Sequence, residues 1–320
     1  MIRKSFILIG IAVLVLATAA GVCGCTSYRK TVERYGLTMR EDVVFIEGLA
    51  KERTIVLAAD THISLCDERD GAVAEKAAQR YQMFASLTKN PSDVNFRHMA
   101  EVLKQMKPDL IVLAGDITDS AMEASIEFVK SELEKTGVPW VYSMGNHDFE
   151  YGSEYFSARA YEEYLPRFAK VSGTEGGWQA LEYDDLIVFM TDDANNRILP
   201  GALAALKEYG AKGKPIVLAT HVPLEPQTED KTLWEKSIEV WRADGSGRSR
   251  VLIGYNSCIP DETTAEFLSY VMAEDSPVKL VLAGHVHFYH RDTLSGKLEQ
   301  IITGAGYEGE FTKITLKPAK

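Results

Sequence analysis

Five times in this chain, a short run of aliphatic and β-branched residues stops at a polar motif built from aspartate, asparagine or histidine. The runs are Thr54 to Ala59, Leu110 to Ala114, Trp140 to Met144, Ile216 to Thr220 and Val278 to Ala283. The motifs that close them are, in order, Asp60-Thr61-His62, Gly115-Asp116-Ile117-Thr118-Asp119, Gly145-Asn146-His147-Asp148, His221, and Gly284-His285-Val286-His287. Continuous apolar runs of this length read as buried strands. In a sheet fed by helices, ligand-binding groups collect beyond the carboxyl ends of the strands, so motifs far apart in sequence converge there. Five of the seven histidines lie in these motifs, while His98 and His290 lie outside them and need no special role.

The ordered series D-x-H, G-D-x-x-D, G-N-H-D, H and G-H-x-H, complete from Asp60 to His287, resembles the calcineurin-like metallophosphoesterase family. Purple acid phosphatases place a tyrosine after the G-D and lack the first histidine, so His62 and Asp119 set this chain apart from that branch. The resemblance implies an α/β fold of two packed β-sheets flanked by helices, a four-layer sandwich. It also implies two divalent or trivalent metal ions bridged by Asp116, with Asp60, His62 and His287 completing one site and Asn146, His221 and His285 the other. Imidazole, carboxylate and amide oxygen with no thiolate favour manganese, iron or zinc over a structural zinc cage. The implied chemistry is phosphoester hydrolysis by a hydroxide held between the metals, with no side-chain nucleophile. In the same resemblance, His147 stabilises or protonates the leaving oxygen and Asp119 orients it.

The residues alone add simpler readings. The glycines before the motifs permit sharp turns, the two histidines of G-H-x-H fall on one face if they continue the strand, and Asp148 is a turn or supporting residue. His147 read plainly is a hydrogen bonder beside the metals. His98 lies in an amphipathic stretch with Phe96, Met99, Leu103 and Met106 on one face, which makes it a flank residue. His290 is a hairpin residue.

The first residues predict export. Arg3 and Lys4 precede an uncharged, mostly apolar stretch from Phe6 to Cys25, the order of an export signal. Val22-Cys23-Gly24-Cys25 resembles a lipobox with Cys25 lipidated. The stretch is also long enough for an uncleaved membrane anchor, and Ala17-Thr18-Ala19 offers ordinary cleavage to a secreted form. All three put the body outside the cytoplasm. A charged linker is expected from Thr26 to Lys51, followed by one metallophosphoesterase domain over 52–320. Cys66 and Cys258 remain in the body, and a disulfide between them is permitted without being implied.

Within the domain, Ser120 and Glu123 have capping-box spacing at the head of a helix that Gly137 and Pro139 end. Asp261 caps a later helix. Two long connections, Ser64 to Pro91 and Val222 to Pro260, are candidate walls of the substrate pocket, the second through Trp234, Trp241, Arg248 and Arg250. Asp192, Asp193, Asn195, Asn196 and Arg197 form one more polar cluster after the strand Leu186 to Met190, and Arg197 is a candidate phosphate contact. The formal charge of −11 argues against a general nucleic-acid binder. The expected function is phosphomonoester hydrolysis, with phosphodiester hydrolysis second and a non-catalytic, metal-stabilised surface binding protein as the alternative of another class.

Overall fold

The computed structural model describes residues 27–149, 158–174, 176–241, 251–254 and 257–319. In chain order these form α1 (27–35), β1 (Thr38–Ile46), β2 (Arg53–Ala58), a 3-10 turn (Glu68–Val73), α2 (Ala74–Leu87), α3 (Ser92–Met106), β3 (Leu110–Ala114), α4 (Glu123–Thr136) and β4 (Trp140–Ser143). There follow α5 (Ala158–Ser172), β5 (Trp178–Glu182), β6 (Ile187–Thr191), α6 (Pro200–Gly210), β7 (Ile216–Ala219), α7 (Thr232–Trp241), α8 (Glu262–Met272), β8 (Val278–Ala283), β9 (His290–Ser295), β10 (Leu298–Ile302) and β11 (Glu310–Pro318).

The strands build two mixed sheets, ordered β1-β11-β2-β3-β4 and β5-β6-β7-β8-β10-β9. Both faces of each sheet are covered, which is why the central strands are apolar without alternation. From β2, Ile55 and Leu57 face the second sheet, where they meet Val188, Val217, Leu280 and Ile301. Val56 and Ala58 face the other way, into a core with Phe96, Val102 and Leu103 of α3 and Val129 and Leu133 of α4. The second sheet repeats the arrangement, with Phe189, Leu218 and Val281 packed under Leu203 and Leu206 of α6 and Phe267 and Val271 of α8. Helices, sheet, sheet and helices are the four layers expected.

The segment expected to be a linker is part of the fold. All nine residues of β1 pair in parallel with β11, from Thr38 opposite Glu310 to Ile46 opposite Pro318. Before it, α1 places Tyr28 and Val32 in the first core. The charges that suggested a linker, Arg40 and Glu41, sit on exposed positions of an edge strand whose Val44 and Ile46 are buried.

Helix starts divide between local and distant capping. Asp261 caps α8 as expected, its Oδ1 accepting the Thr264 N–H at 2.8 Å. The capping box at Ser120 does not form: α4 begins at Glu123 after an extended Met122 without a side-chain cap. The Glu123 N–H instead donates to Asp70 Oδ2 at 2.8 Å. Gly137, at φ 68°, ends the helix as read. Cys66 and Cys258 are not joined in a disulfide. Among the described residues, no helix is long and apolar enough to cross a membrane. The Phe6 to Cys25 stretch, with its lipobox and Ala17-Thr18-Ala19 alternatives, lies outside the described residues.

Candidate metal centre

The polar motifs meet where the carboxyl ends of β2, β3 and β4 in one sheet face those of β7 and β8 in the other. Backbone bonds lace them together. The Asp60 N–H donates to Gly115 O at 3.0 Å, His62 N–H to Asp116 O at 2.9 Å, and Gly284 N–H to His221 O at 3.0 Å. A turn after β10 adds Gly306 N–H to Ala59 O and Tyr307 N–H to Asp60 O, each 2.9 Å. The two sheets are joined directly as well, because the His285 N–H donates to the Asp60 carboxylate at 2.9 Å.

Asp60, His62, Asp116, His285 and His287 have φ of 54°, 46°, 51°, 71° and 60°. Only two other non-glycine residues among those described, Lys107 and Asn196, share that left-handed region. Such conformations are strained and gather at functional sites when the surrounding structure enforces them. The G-H-x-H motif is therefore a pair of left-handed bends, with no strand face for its histidines to share. Val286 between them turns into an apolar cluster with Leu233, Leu252 and Ile302.

The motif glycines act mainly through close approach. Gly115 has φ 78°, and a Cβ there would lie 2.4 Å from His221 Nδ1. Gly145 has no positive φ, yet a Cβ would meet Asp116 N and Oδ1 at 2.3 Å. At Gly284, also without a positive φ, it would meet Ala59 Cβ at 2.4 Å and Asp60 Oδ2 at 2.8 Å.

All seven predicted ligands are brought into one cluster. Asp60, His62, Asp116 and His287 form one group of ligand atoms within 4.8 Å of one another, and Asp116, His221 and His285 form a second. Asp116 belongs to both. Asn146 joins the second through its Oδ1, 3.1 Å from His221 Nε2.

Hydrogen bonding defines which atoms point inward. His221 Nδ1 lies 2.9 Å from the Ala114 carbonyl, an acceptor only, so Nδ1 carries a hydrogen and the neutral ring presents a lone pair at Nε2. That Nε2 faces Asn146 Oδ1 at 3.1 Å, His285 Nδ1 at 3.1 Å and Asp116 Oδ2 at 3.3 Å. His62 Nδ1 is held by Asp119 Oδ1 at 3.1 Å, which leaves its Nε2 facing His287 Nε2 at 3.1 Å. His287 Nε2 in turn lies 3.4 Å from Asp60 Oδ1. Lone pairs facing lone pairs in a buried site are costly unless a cation lies among them. Electrostatics show the same demand for positive charge: burial opposes protonation of His221, but Asp116, Asp60 and Asp193 outweigh it and draw its pKa up to about 10, so the pocket at its Nε2 takes up a proton or, in its place, a metal ion. The donor set fits two cations sharing Asp116, and the centre is dimetal.

His147 lies at the rim, its side chain 38% exposed and its Nδ1 3.1 Å from Asp119 Oδ1. Its backbone N–H donates to Asp116 Oδ1 at 2.6 Å. Partial burial works against its protonation, but Asp116 and Asp119 prevail and raise its pKa above the ordinary imidazole value. Asp119 is fully buried and also takes both teeth of an arginine fork, from Arg80 Nε at 2.5 Å and Arg80 Nη2 at 2.6 Å. Burial raises the Asp119 pKa, but Arg80, His147 and His62 together bring it well below the usual carboxylate range. Asp148 belongs to neither ligand group and accepts from Thr118 N–H at 2.8 Å, Tyr142 OH at 2.7 Å and Gly145 N–H at 2.8 Å.

Arg80 has no motif to announce it. It comes from α2, inside the connection read as a possible pocket wall, and Phe84 one turn on stacks on the His62 ring at 4.6 Å. Tyr307 closes the same side, 5.4 Å from the His287 ring, and Trp241 of α7 stands perpendicular to His287 at 4.8 Å. Asp193 supports His221 by accepting its N–H at 2.8 Å. Arg197 pairs with Asp261 at 2.8 Å and is more than half exposed, which ties it to the head of α8. Trp234 packs with Leu233 in the apolar cluster, and Arg248 and Arg250 lie outside the described residues. His98 stacks on Tyr35 at 3.8 Å, and His290 opens the β9–β10 hairpin.

Comparison with known proteins agrees with this geometry. A probable cyclic nucleotide phosphodiesterase of a Synechococcus strain is 26% identical over 188 residues, a match covering 58% of this chain and 60% of that protein. A dimetal phosphatase from Danio rerio shares the fold, with a TM-score of 0.50 and 14% identity over 82% of this chain and 92% of the other. The profile of the calcineurin-like phosphoesterases matches residues 53–289, about three quarters of the sequence, and the chain belongs to that family.

Proposed function

We propose that this protein is a dimetal phosphoric ester hydrolase acting on phosphomonoesters. The observation that carries the reading is the convergence of buried aspartate and histidine ligand atoms on two positions that share Asp116. Asp60, His62, Asp116 and His287 hold one ion, and Asp116, Asn146, His221 and His285 the other. The ions are manganese, iron or zinc, which suit a nitrogen and oxygen donor set without thiolate. When bound, they supply positive charge to phosphoryl oxygens and make a bound water acidic enough to act near neutral pH. His147 holds a proton at the rim for the departing oxygen. Asp119 fixes the tilt of its imidazole, and Arg80 fixes Asp119.

A second reading, diester hydrolysis, draws support from the Synechococcus relative, although the alignment spans only 60% of that protein. Full-length protein loaded with metal, assayed on an aryl monophosphate and a bis-aryl diester, decides between them. Faster turnover of the diester replaces the monoester reading. Failure on both, with two metals bound per chain, replaces it with a non-catalytic binding protein.

We further place the catalytic domain outside the cytoplasm, tethered through the Phe6 to Cys25 segment by a lipidated Cys25 or an uncleaved anchor, with secretion as the third possibility. The geometry of entry suits a tether. Ser27 meets Gln105 at the C-terminal end of α3, whereas Asn95 near the other end meets the Tyr307 carbonyl beside the metals at 2.8 Å. The chain thus enters the fold at the pole away from the site. Fractionation of full-length protein and its Cys25→Ser variant tests this, and a soluble, cytoplasmic, full-length product refutes it.

A further inference from the structure

We infer that Trp241 forms a stacking subsite for a planar aromatic group on the substrate, next to the metal that His287 serves. This deepens the phosphohydrolase reading and rests on it. Four observations lead here. Trp241 is the last residue of α7, and its indole stands perpendicular to the His287 ring with centroids 4.8 Å apart. Its Nε1–H donates to the Val286 carbonyl at 2.9 Å, so the polar edge is satisfied and the ring is fixed to the G-H-x-H turn. The residue is still 44% exposed, and Val240 beside it is 49% exposed. Finally, α7 is anchored without it, because Leu233 and Ser237 are buried and Trp234 packs in the apolar cluster.

A large apolar ring held rigid yet open, one residue's breadth from a metal ligand, gains most by covering its face with another flat surface. Aromatic pairs contribute beyond the area they bury, through the offset or edge-on fit of their quadrupoles. The other rings beside His62 and His287 narrow the choice of partner. Phe84 and Tyr307 are 4% and 8% exposed, so among the described residues the rings that touch His62 and His287 from this side offer no second open face. A quaternary ammonium group is recognised by a cage of several aromatic faces, and one open face does not make a cage. A planar group laid on a single indole, with the phosphoryl group on the metals, satisfies both constraints. A nucleobase and a simple aryl ring share that chemistry.

The test separates stacking from general greasiness and does not depend on turnover. Full-length protein with two metals per chain is titrated calorimetrically with 2-phenylethylphosphonate and 2-cyclohexylethylphosphonate, which carry the same anionic head and rings of similar size. The expected preference for the flat ring is about 2- to 12-fold in Kd, the size of the specific aromatic contribution. Trp241→Phe should keep most of that preference, and Trp241→Leu should remove it. Comparing two substitutions that both retain an apolar side chain guards against a collapse of α7. No preference in the wild-type protein, or a preference that survives in Trp241→Leu, overturns the subsite. If neither phosphonate nor inorganic phosphate binds the two-metal protein, the phosphohydrolase reading itself fails and the subsite goes with it. Among binders, a purine monophosphate that gains more from Trp241 than 2-phenylethylphosphonate does identifies the planar group as a nucleobase.

Discussion

Arg80→Ala tests how the Asp119 carboxylate is kept charged in the interior. Asp119 is fully buried, and the Arg80 side chain is 20% exposed. Removing the guanidinium deletes two charge-assisted bonds, at 2.5 and 2.6 Å. Breaking a buried pair by deleting one partner costs about 3–5 kcal/mol. His62 and His147, each 3.1 Å from Asp119 Oδ1, remain to compensate part of the charge, and water can enter where the arginine was. A loss of about 2–3 kcal/mol follows. For a domain of this size, that corresponds to a drop of about 4–6 °C in Tm. The His62 link persists, so metal content should stay near two per chain. The aim of His147 should suffer, with turnover of a poor leaving group falling about 10²-fold. Arg80→Lys restores the charge without the fork and should fall between the two proteins. The measurements are thermal unfolding, metal content by mass spectrometry and kcat on one monoester. An unchanged Tm together with unchanged kcat would show that the two histidines alone satisfy Asp119, and the proposed role of Arg80 would be withdrawn.

Asp116→Asn should weaken both metal positions together, since one side chain belongs to both ligand groups; full occupancy with normal turnover removes it from the shared role. His147→Ala should keep both metals and slow a poor leaving group by about 10²–10⁴-fold, with a smaller loss on an activated aryl ester that departs without a proton; equal losses reject the acid role. Gly145→Ala forces a Cβ to within 2.3 Å of Asp116 N and Oδ1, so metal content should fall although the substitution is the smallest available; normal metal binding refutes the close-approach argument. Burial, with Arg97 and Arg34 adding to it, holds His98 below its ordinary pKa of 6.5. Because the folded pKa is lowered, the unfolded chain binds the proton first: His98's contribution to stability is complete above about pH 6.5 and declines as pH falls from there toward the folded pKa. His98→Phe keeps a ring against Tyr35 and should flatten that acid limb of the Tm profile, whereas an unaltered limb assigns it to other groups.

Much of the site was legible because its chemistry restricts residue type. Metals need lone pairs from aspartate, asparagine and histidine, and the strands that deliver them are buried on both faces, so their apolar runs mark them to within about one residue of the observed ends. β3 and β8 begin and end where the runs Leu110 to Ala114 and Val278 to Ala283 do. Features set by a distant partner were hidden. The Ser120 and Glu123 spacing fits a local cap, but Asp70, brought in by the 3-10 turn, takes the N–H instead. β1 reads as linker because half its side chains face solvent at a sheet edge, and its pairing with β11 lies some 270 residues away. Arg80 is one more charge on an exposed helix until the fold carries it to Asp119. The spacing of His285 and His287 predicts a shared strand face, and the structure has two left-handed bends there instead, because spacing alone cannot distinguish the two.

Those bends bear on how the centre is held. Five residues that carry proposed ligands sit in a backbone region costing about 1–3 kcal/mol each for a non-glycine side chain, so the strain must be enforced by something other than the residues themselves. Metals could enforce it, by drawing the ligands in. The hydrogen bonds argue for the frame instead: Ala59, Asp60, Gly115, Asp116 and His221 each give a backbone carbonyl or N–H to a neighbouring motif, and Asp193 and Asp119 hold His221 and His62 from behind. These contacts involve no metal and come from both sheets. The ligand atoms are therefore preorganised by the packing of two apolar sheets whose strand ends meet, and the negative charge they concentrate is offset at one edge by Arg80. In that arrangement the sandwich and the site are one structure, since separating the sheets would release the strained turns and scatter the ligands together.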